Sequence, residues 1–262
     1  MKWVVEAAAH STRGRRSRNE DMVALAATAV IGCGQTAERT YWIRPDSRSD
    51  FARKGLLFAV ADGVGGLAHG EQASEVAIQE IAQRYYKDPS PDLALSLRRV
   101  IEATNRHLWQ TYVPVWGKMG TTVTTAVIHQ DQLLVASVGD SRLYLIRQGQ
   151  ASLLTADHDW FESQQRQGNL PDEAVAEGPR NRITRSLGSQ PQVGVDIWST
   201  TLQPGDRILL CSDGLSSYLP EPTLAQLATN SDLNQAVIQL VDAAYDAGSR
   251  DNITAVVVAV DR

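Results

Sequence analysis

The chain has 262 residues, with 25 basic and 30 acidic side chains and a formal net charge of −5. Its 43% hydrophobic and 21% charged content is that of a globular protein and excludes a disordered or collagen-like chain. The acidic balance argues against a general nucleic-acid binder, the lack of a long apolar run argues against a membrane span, and two cysteines, Cys33 and Cys211, are too few for a disulfide framework or a cysteine zinc site.

The N-terminus reads MKWVVEAAAH, an apolar stretch broken by Glu6 and too short for a secretory leader, so the cytoplasm is the expected compartment. Residues 32–55 are polar and irregular, with Arg53 and Lys54 near their end, and read as a surface loop between two strands. Residues 55–66, GLLFAVADGVGG, are a buried strand that ends in an Asp-Gly turn. Ala73, Val76, Ala77, Ile81 and Tyr85 then recur at helical spacing over residues 70–87. The break Pro89-Ser90-Pro91 predicts a second helix with Ser90 as its N-cap, and Leu93, Leu97, Val100, Ile101, Thr104 and Leu108 mark its core face.

The period changes at residues 121–129, 132–139 and 142–147, three β-rich runs with short polar joints that read as an antiparallel meander. Residues 156–190 interrupt it with a polar, partly helical excursion. Residues 206–214, DRILLCSDG, repeat the pattern of an apolar run ending in Asp-Gly. Residues 232–247 are helical with Gly248 as the stop, and residues 252–260 form a closing buried strand. Helices in two groups around strands without βαβ alternation give an α+β fold.

Aspartates fall at the ends of the apolar runs. Asp62, Asp140 and Asp213 each close one, Asp251 precedes one, and Asp21 follows an arginine-rich loop. Converging carboxylates would repel by about 4 kcal/mol per close pair at an effective dielectric near 20, and a hard divalent cation removes that cost. Oxygen ligands favour Mg²⁺ or Mn²⁺ over Zn²⁺. Any one Asp-Gly is more often a plain turn, and linear spacing does not show convergence. Arg13, Arg15, Arg16 and Arg18 lie just before Asn19-Glu20-Asp21, and guanidinium forks suit phosphate oxygens.

These pieces come in a recognisable order: RRSRNED at 15–21, FAVADGVGG at 58–66, MGTTVTTAVI at 119–128, ASVGDSRLYLIR at 136–147, LTADHDW at 154–160, RNRITRSLG at 180–188, LLCSDGLSSYL at 209–219 and RDNITAVVV at 250–258. Over residues 8–262 the chain resembles the metal-dependent protein Ser/Thr phosphatases of the PPM type, of the stand-alone bacterial kind. The resemblance implies one catalytic domain over residues 1–262, an αββα sandwich of two antiparallel sheets flanked by helices. It implies two Mn²⁺ or Mg²⁺ ions and a weaker third. Asp62 would bridge the first two, with the Gly63 carbonyl, Asp213 and Asp251 completing the first set of ligands. Asp21 would lie beside the second ion, through water, and Asp140 with Asp213 would form the third site.

Arg16 falls at the position of the family's phosphate-binding arginine. The loop is one residue shorter here, which leaves Arg15 or Arg18 as alternatives. Thr121 and Thr122 read as structural, Ser141 and Ser212 lack a nucleophile's partners, and His158 reads as a structural or surface histidine. Val64 stands where eukaryotic members often carry a histidine, which leaves the leaving-group proton unassigned.

The expected activity is hydrolysis of phosphoserine and phosphothreonine in proteins by a hydroxide bridging the two metals. The alternative is a catalytically silent phosphoprotein-binding module of the same fold. The excursion at 156–190 matches the family's flap, and Arg180, Asn181 and Arg182 are its candidate substrate contacts. The expected partners are phosphorylated proteins, including substrates of a Ser/Thr kinase in the same cell. No nucleic acid and no membrane are expected, and the expected state is a monomer.

Overall fold

A computed structural model describes residues 3–25, 29–31, 49–64, 69–160 and 183–261. Eleven strands among these residues form two sheets. They are β1 (Val4–Thr12), β2 (Asp21–Leu25), β3 (Ala29–Ile31), β4 (Leu56–Asp62), β5 (Val123–His129), β6 (Gln132–Val138), β7 (Arg142–Arg147), β8 (Gln150–Leu153), β9 (Asp196–Thr201), β10 (Arg207–Cys211) and β11 (Ile253–Asp261). The helices are α1 (Ser49–Lys54), α2 (Gly70–Lys87), α3 (Leu93–His107), a π-helical turn at Leu108–Tyr112, α4 (Val113–Trp116), α5 (Asp213–Ser216), α6 (Glu221–Ala228) and α7 (Leu233–Asp246).

One sheet runs β1-β11-β10-β7-β8 and the other β3-β2-β4-β5-β6-β9, with antiparallel pairing throughout. The central strands β4, β5, β10 and β11 read as nearly continuous apolar runs because both of their faces are covered, whereas the edge strand β8 is largely exposed. In β4, Leu56, Phe58 and Val60 point between the sheets, while Leu57, Ala59 and Ala61 point outward to the helices. In β11, Val256, Val258 and Val260 point inward, and Ile253, Ala255 and Val257 outward. The period of two therefore separates an inter-sheet core from two sheet–helix cores. Helix α2 lays Ala73, Ala77, Ile81 and Tyr85 on the six-stranded sheet, and α7 lays Ala236, Val237, Leu240, Val241 and Ala244 on the five-stranded one. This is the αββα sandwich. Each large apolar side chain so buried contributes about 1.5–3 kcal/mol.

Several local expectations change. The three β-rich runs are no single meander, because β5 and β6 pair but β7 crosses to the other sheet and pairs with β10. Gly139, at φ 110°, and Asp140 make that crossing, which a one-dimensional pattern of apolar runs does not display. The α3 N-cap is Asp92, whose carboxylate accepts from Leu95 N–H at 3.0 Å, while the Ser90 hydroxyl donates to the Asp92 carbonyl. Asp213 opens the helical turn α5 and does not form a plain turn. Gly248 takes the left-handed conformation one residue past the α7 cap at Ala247.

The expected loop at 32–55 ends in helix α1, and residues 32–48 lie outside the described residues. Lys54 is buried, not solvated. Its ammonium donates to the Ser90 carbonyl at 2.8 Å and the Ser96 hydroxyl at 2.9 Å.

A carboxylate cluster beside an arginine loop

The site forms where the two sheets meet at one end. Asp21 opens β2 and Asp62 closes β4, and the antiparallel register makes them direct cross-strand partners. Asp213 follows β10, Asp251 precedes β11, and Asp140 lies in the β6–β7 crossing. The aspartates therefore reach one place from five different elements.

Backbone contacts fix that place tightly. A Cβ on Gly63 would lie 2.5 Å from the backbone of Gly70, so only glycine lets the N-terminus of α2 approach. A Cβ on Gly214 would lie 1.9 Å from the Asn252 carbonyl, and one on Gly14 would lie 2.1 Å from the Asp251 carbonyl. Asp62 is held by its main chain. Its N–H donates to the Thr122 hydroxyl at 2.9 Å, and its carbonyl accepts from Thr122 N–H at 2.8 Å and the Thr121 hydroxyl at 2.9 Å. Gly63 N–H donates to the Glu20 carbonyl at 3.0 Å.

Asp21 is 1% exposed, and its Oδ2 accepts from the Ser212 hydroxyl at 2.8 Å and the Thr254 hydroxyl at 2.6 Å. Ser212 is thus spent on orienting a carboxylate. Ser141 is likewise engaged, with the Thr122 hydroxyl at 2.7 Å.

The electrostatics follow from burying like charges together. Burial pushes the Asp62 carboxyl well above its usual range, and Asp21, Asp213, Asp140 and Asp251 add to the shift. Burial likewise raises Asp21 to about 7, against the hydroxyl bonds of Thr254 and Ser212. It raises Asp140 to about 8, with Asp213 and Asp157 adding, and Asp213 to about 6, with Asp251 adding. Asp62 lies close enough to Asp213 to temper that rise, so the two carboxyls titrate together.

Asp140 Oδ1 and Asp213 Oδ1 are buried with no hydrogen-bond partner. A donor set made only of oxygens, with orphaned carboxylate oxygens and mutual repulsion, fits a hard divalent cation. As the side chains lie, no three acidic, histidine or cysteine groups among the described residues stand close enough to grip one ion.

The arginine loop separates its members. Arg16 donates to Asp251 Oδ2 at 2.6 Å with half of its side chain exposed, and that hydrogen bond raises its pKa. Arg15 turns away, donates to the Tyr245 carbonyl at 3.3 Å and lies 4.7 Å over the Tyr245 ring. Arg18 is exposed. Arg180, Asn181 and Arg182 lie outside the described residues.

At the described base of the same segment, His158 accepts from Gly139 N–H at Nδ1, 3.0 Å away, and Nε2 faces Asp196 at 3.1 Å. It is 3% exposed and holds the backbone next to Asp140.

Reading the sequence did not identify Asn252, which organises the loop. Its amide donates to the Arg13 carbonyl at 3.0 Å and the Arg18 carbonyl at 2.7 Å, and its oxygen accepts from Glu20 N–H at 2.8 Å. The only available signal was an asparagine beside Asp251 at a strand entry. Thr254 and Asn19 were missed as well. Asn19 donates to the Ser11 hydroxyl at 2.8 Å and accepts from Asp21 N–H at 3.2 Å.

Residues 33–257 match the family model for protein phosphatase 2C. The serine/threonine phosphatase stp of Listeria monocytogenes is 32% identical over 213 residues, 78% of this chain and 84% of that protein. The crystal structure of the Mycobacterium tuberculosis serine/threonine phosphatase PstP/Ppp superposes with a TM-score of 0.78 at 30% identity, covering 99% of this chain and all of that one. The catalytic domain of PstP in complex with two manganese ions superposes at 0.76 and 29% identity, with both chains fully covered.

Proposed function

The chain belongs to the protein phosphatase 2C family, and on that premise we propose how its carboxylate cluster and arginine loop carry out the family's reaction. It is a metal-dependent serine/threonine phosphatase, and its substrates are phosphoproteins. The observation that carries the mechanism is the convergence of Asp21, Asp62, Asp140 and Asp213, each with its carboxyl pKa raised, beside the Asp251–Arg16 ion pair at 2.6 Å.

We assign two ions, Mn²⁺ or Mg²⁺, and a weaker third. Asp62 would serve the first two, the Gly63 carbonyl, Asp213 and Asp251 would complete the first set, and Asp21 would support the second. Asp140 and Asp213 would serve the third, and their orphaned oxygens support that reading. When bound, such cations lower the pKa of a coordinated water and offset phosphate charge. Arg16 leaves Asp251 to bind and orient the phosphate, as its half-exposed guanidinium allows. Ser212 and Ser141 hold Asp21 and Thr122, so no side chain is assigned as nucleophile and water attacks directly. The silent-module reading is set aside because all five aspartates are present.

The chain reads as one catalytic domain of residues 1–262, with Arg180, Asn181 and Arg182 of the flap shaping substrate choice. It acts as a monomer in the cytoplasm on products of a Ser/Thr kinase of the same cell. Among the described residues no helix is long and apolar enough to cross a membrane. Rapid quenching with a radiolabelled phosphoprotein tests the direct reaction. Label released only as inorganic phosphate supports it, and label trapped on a serine or cysteine overturns it.

A further inference from the structure

Away from the carboxylates, the α2–α3 hairpin carries a groove of about 560 Å³ lined by Arg84, Lys87, Asp88, Arg99, Val100, Ala103 and Arg106. Four cations and one carboxylate line it, in a chain whose net charge is −5. Arg99, Ala103 and Arg106 recur on one face of α3, and Arg84 and Lys87 end α2. The single carboxylate is already engaged, since Asp88 accepts from Ser90 N–H at 2.9 Å and faces the buried Lys54 ammonium at 3.7 Å. Arg53 donates to the Tyr86 carbonyl at 2.9 Å and the Asp88 carbonyl at 3.4 Å, so it covers the negative end of α2. Arg84 is bonded to Glu80 and His107. Lys87, Arg99 and Arg106 are exposed and make no hydrogen bond or ion pair among the described residues. The groove thus presents three exposed cations, of which Arg99 also acts on Asp88 through space, over a small apolar floor of Val100 and Ala103.

We propose that this groove docks an acidic segment of the phosphoprotein substrate, distant in sequence from the residue being dephosphorylated. The proposal rests on the phosphatase reading above and adds a second point of contact to it. Helix α2 sets the spacing. Its first residue, Gly70, packs on Gly63 at the carboxylate cluster, and its last, Lys87, lines the groove. Its 18 residues rise by roughly 26 Å between these two points. A substrate needs about eight extended residues to reach, or about twenty flexible ones for the best match. The groove raises the effective concentration of the phosphoresidue at the site and leaves the chemical step alone.

The test uses the full chain with Mn²⁺ and two peptides. Each carries one phosphothreonine, a Gly/Ser linker of about twenty residues and a tail of either glutamates or glutamines. The wild type is expected to show a KM about fivefold lower for the glutamate tail at low salt, with equal kcat. Arg99→Glu with Arg106→Glu is expected to erase the difference and leave hydrolysis of a small phosphomonoester unchanged. Arg99→Gln with Arg106→Gln replaces it if the charge reversal misfolds. Equal KM values in the wild type, or a difference that persists in the variants, overturn the proposal. If neither peptide is hydrolysed, the phosphatase reading fails, and fluorescence anisotropy of a labelled, unphosphorylated glutamate-tail peptide decides the groove. Binding lost in the variant supports it, and no binding overturns it. An oligonucleotide that binds where the glutamate peptide does not also overturns it.

Discussion

The Arg16 guanidinium donates to Asp251 Oδ2 at 2.6 Å, which links a loop near the N-terminus to the entry of the last strand. This contact places Arg16 beside the carboxylates, while Arg15 is committed to Tyr245. Arg16→Ala is expected to lower kcat/KM on a phosphothreonine peptide by about 10²-fold, the scale for loss of one charged donor to a transition state. Arg15→Ala is expected to leave turnover near wild type and to cost about 0.5–1 kcal/mol of stability through the lost ring contact. Steady-state kinetics and chemical denaturation on the two variants check both halves.

Asn252 is expected to matter as much as a phosphate ligand without touching phosphate. It is 2% exposed and makes three hydrogen bonds that pin residues 13–20. Asn252→Ala removes the partner of the Arg18 carbonyl and of Glu20 N–H, while the Arg13 carbonyl keeps Arg16 N–H, and is expected to cost about 1–2 kcal/mol of stability. The loss in kcat/KM should resemble that of Arg16→Ala, because Arg16 loses its placement. A variant with full activity would show that the loop positions itself.

Ser212→Ala separates a positioning role from a nucleophilic one. Its hydroxyl donates to Asp21 and accepts from Thr254 N–H at 3.1 Å. The substitution is expected to cost about 1–3 kcal/mol of stability and to leave substantial turnover. Loss of about 10⁶-fold in kcat would mark Ser212 as a nucleophile instead.

The raised carboxyl pKa values set the pH response of the protein in chelator. Asp21, Asp140 and Asp213 titrate at about 7, about 8 and about 6 in the fold, against 3.8 for an ordinary aspartate. A folded-state pKa above the unfolded one means that the folded chain binds more protons between the two. Its stability therefore falls as pH rises from about 4 to about 8, and acidification from pH 9 toward pH 6 stabilises the metal-free protein by about 1 kcal/mol or more. Uptake of Mn²⁺ at pH 7 is expected to release protons, seen as calorimetric enthalpies that change with the ionisation heat of the buffer.

Much of this arrangement was legible in the residues. The apolar runs gave the buried strands and singled out the aspartates at their ends, Asp62 above all, while their convergence followed only from the family resemblance. What was not legible depends on partners far apart in the chain. Asp21 meets Thr254 across 233 positions, and Asn252 meets Arg18 across 234. No local pattern distinguishes such a polar residue from one facing water. The crossing of β7 to the second sheet was hidden because a short polar joint serves a hairpin and a sheet change equally well. Lys54 looked like loop charge because its partners, Ser90 and Ser96, come from a helix hairpin that begins later in the chain.

The most direct test of the central claim joins binding to turnover in one variant. Mn²⁺ titration by calorimetry and phosphate release from a phosphothreonine peptide are compared for the wild type and Asp62→Asn, with circular dichroism to confirm folding. The account predicts Mn²⁺ uptake and chelator-sensitive phosphate release in the wild type, and both lowered at least about 10²-fold in Asp62→Asn. A folded Asp62→Asn that still binds Mn²⁺ and releases phosphate at the wild-type rate would contradict it.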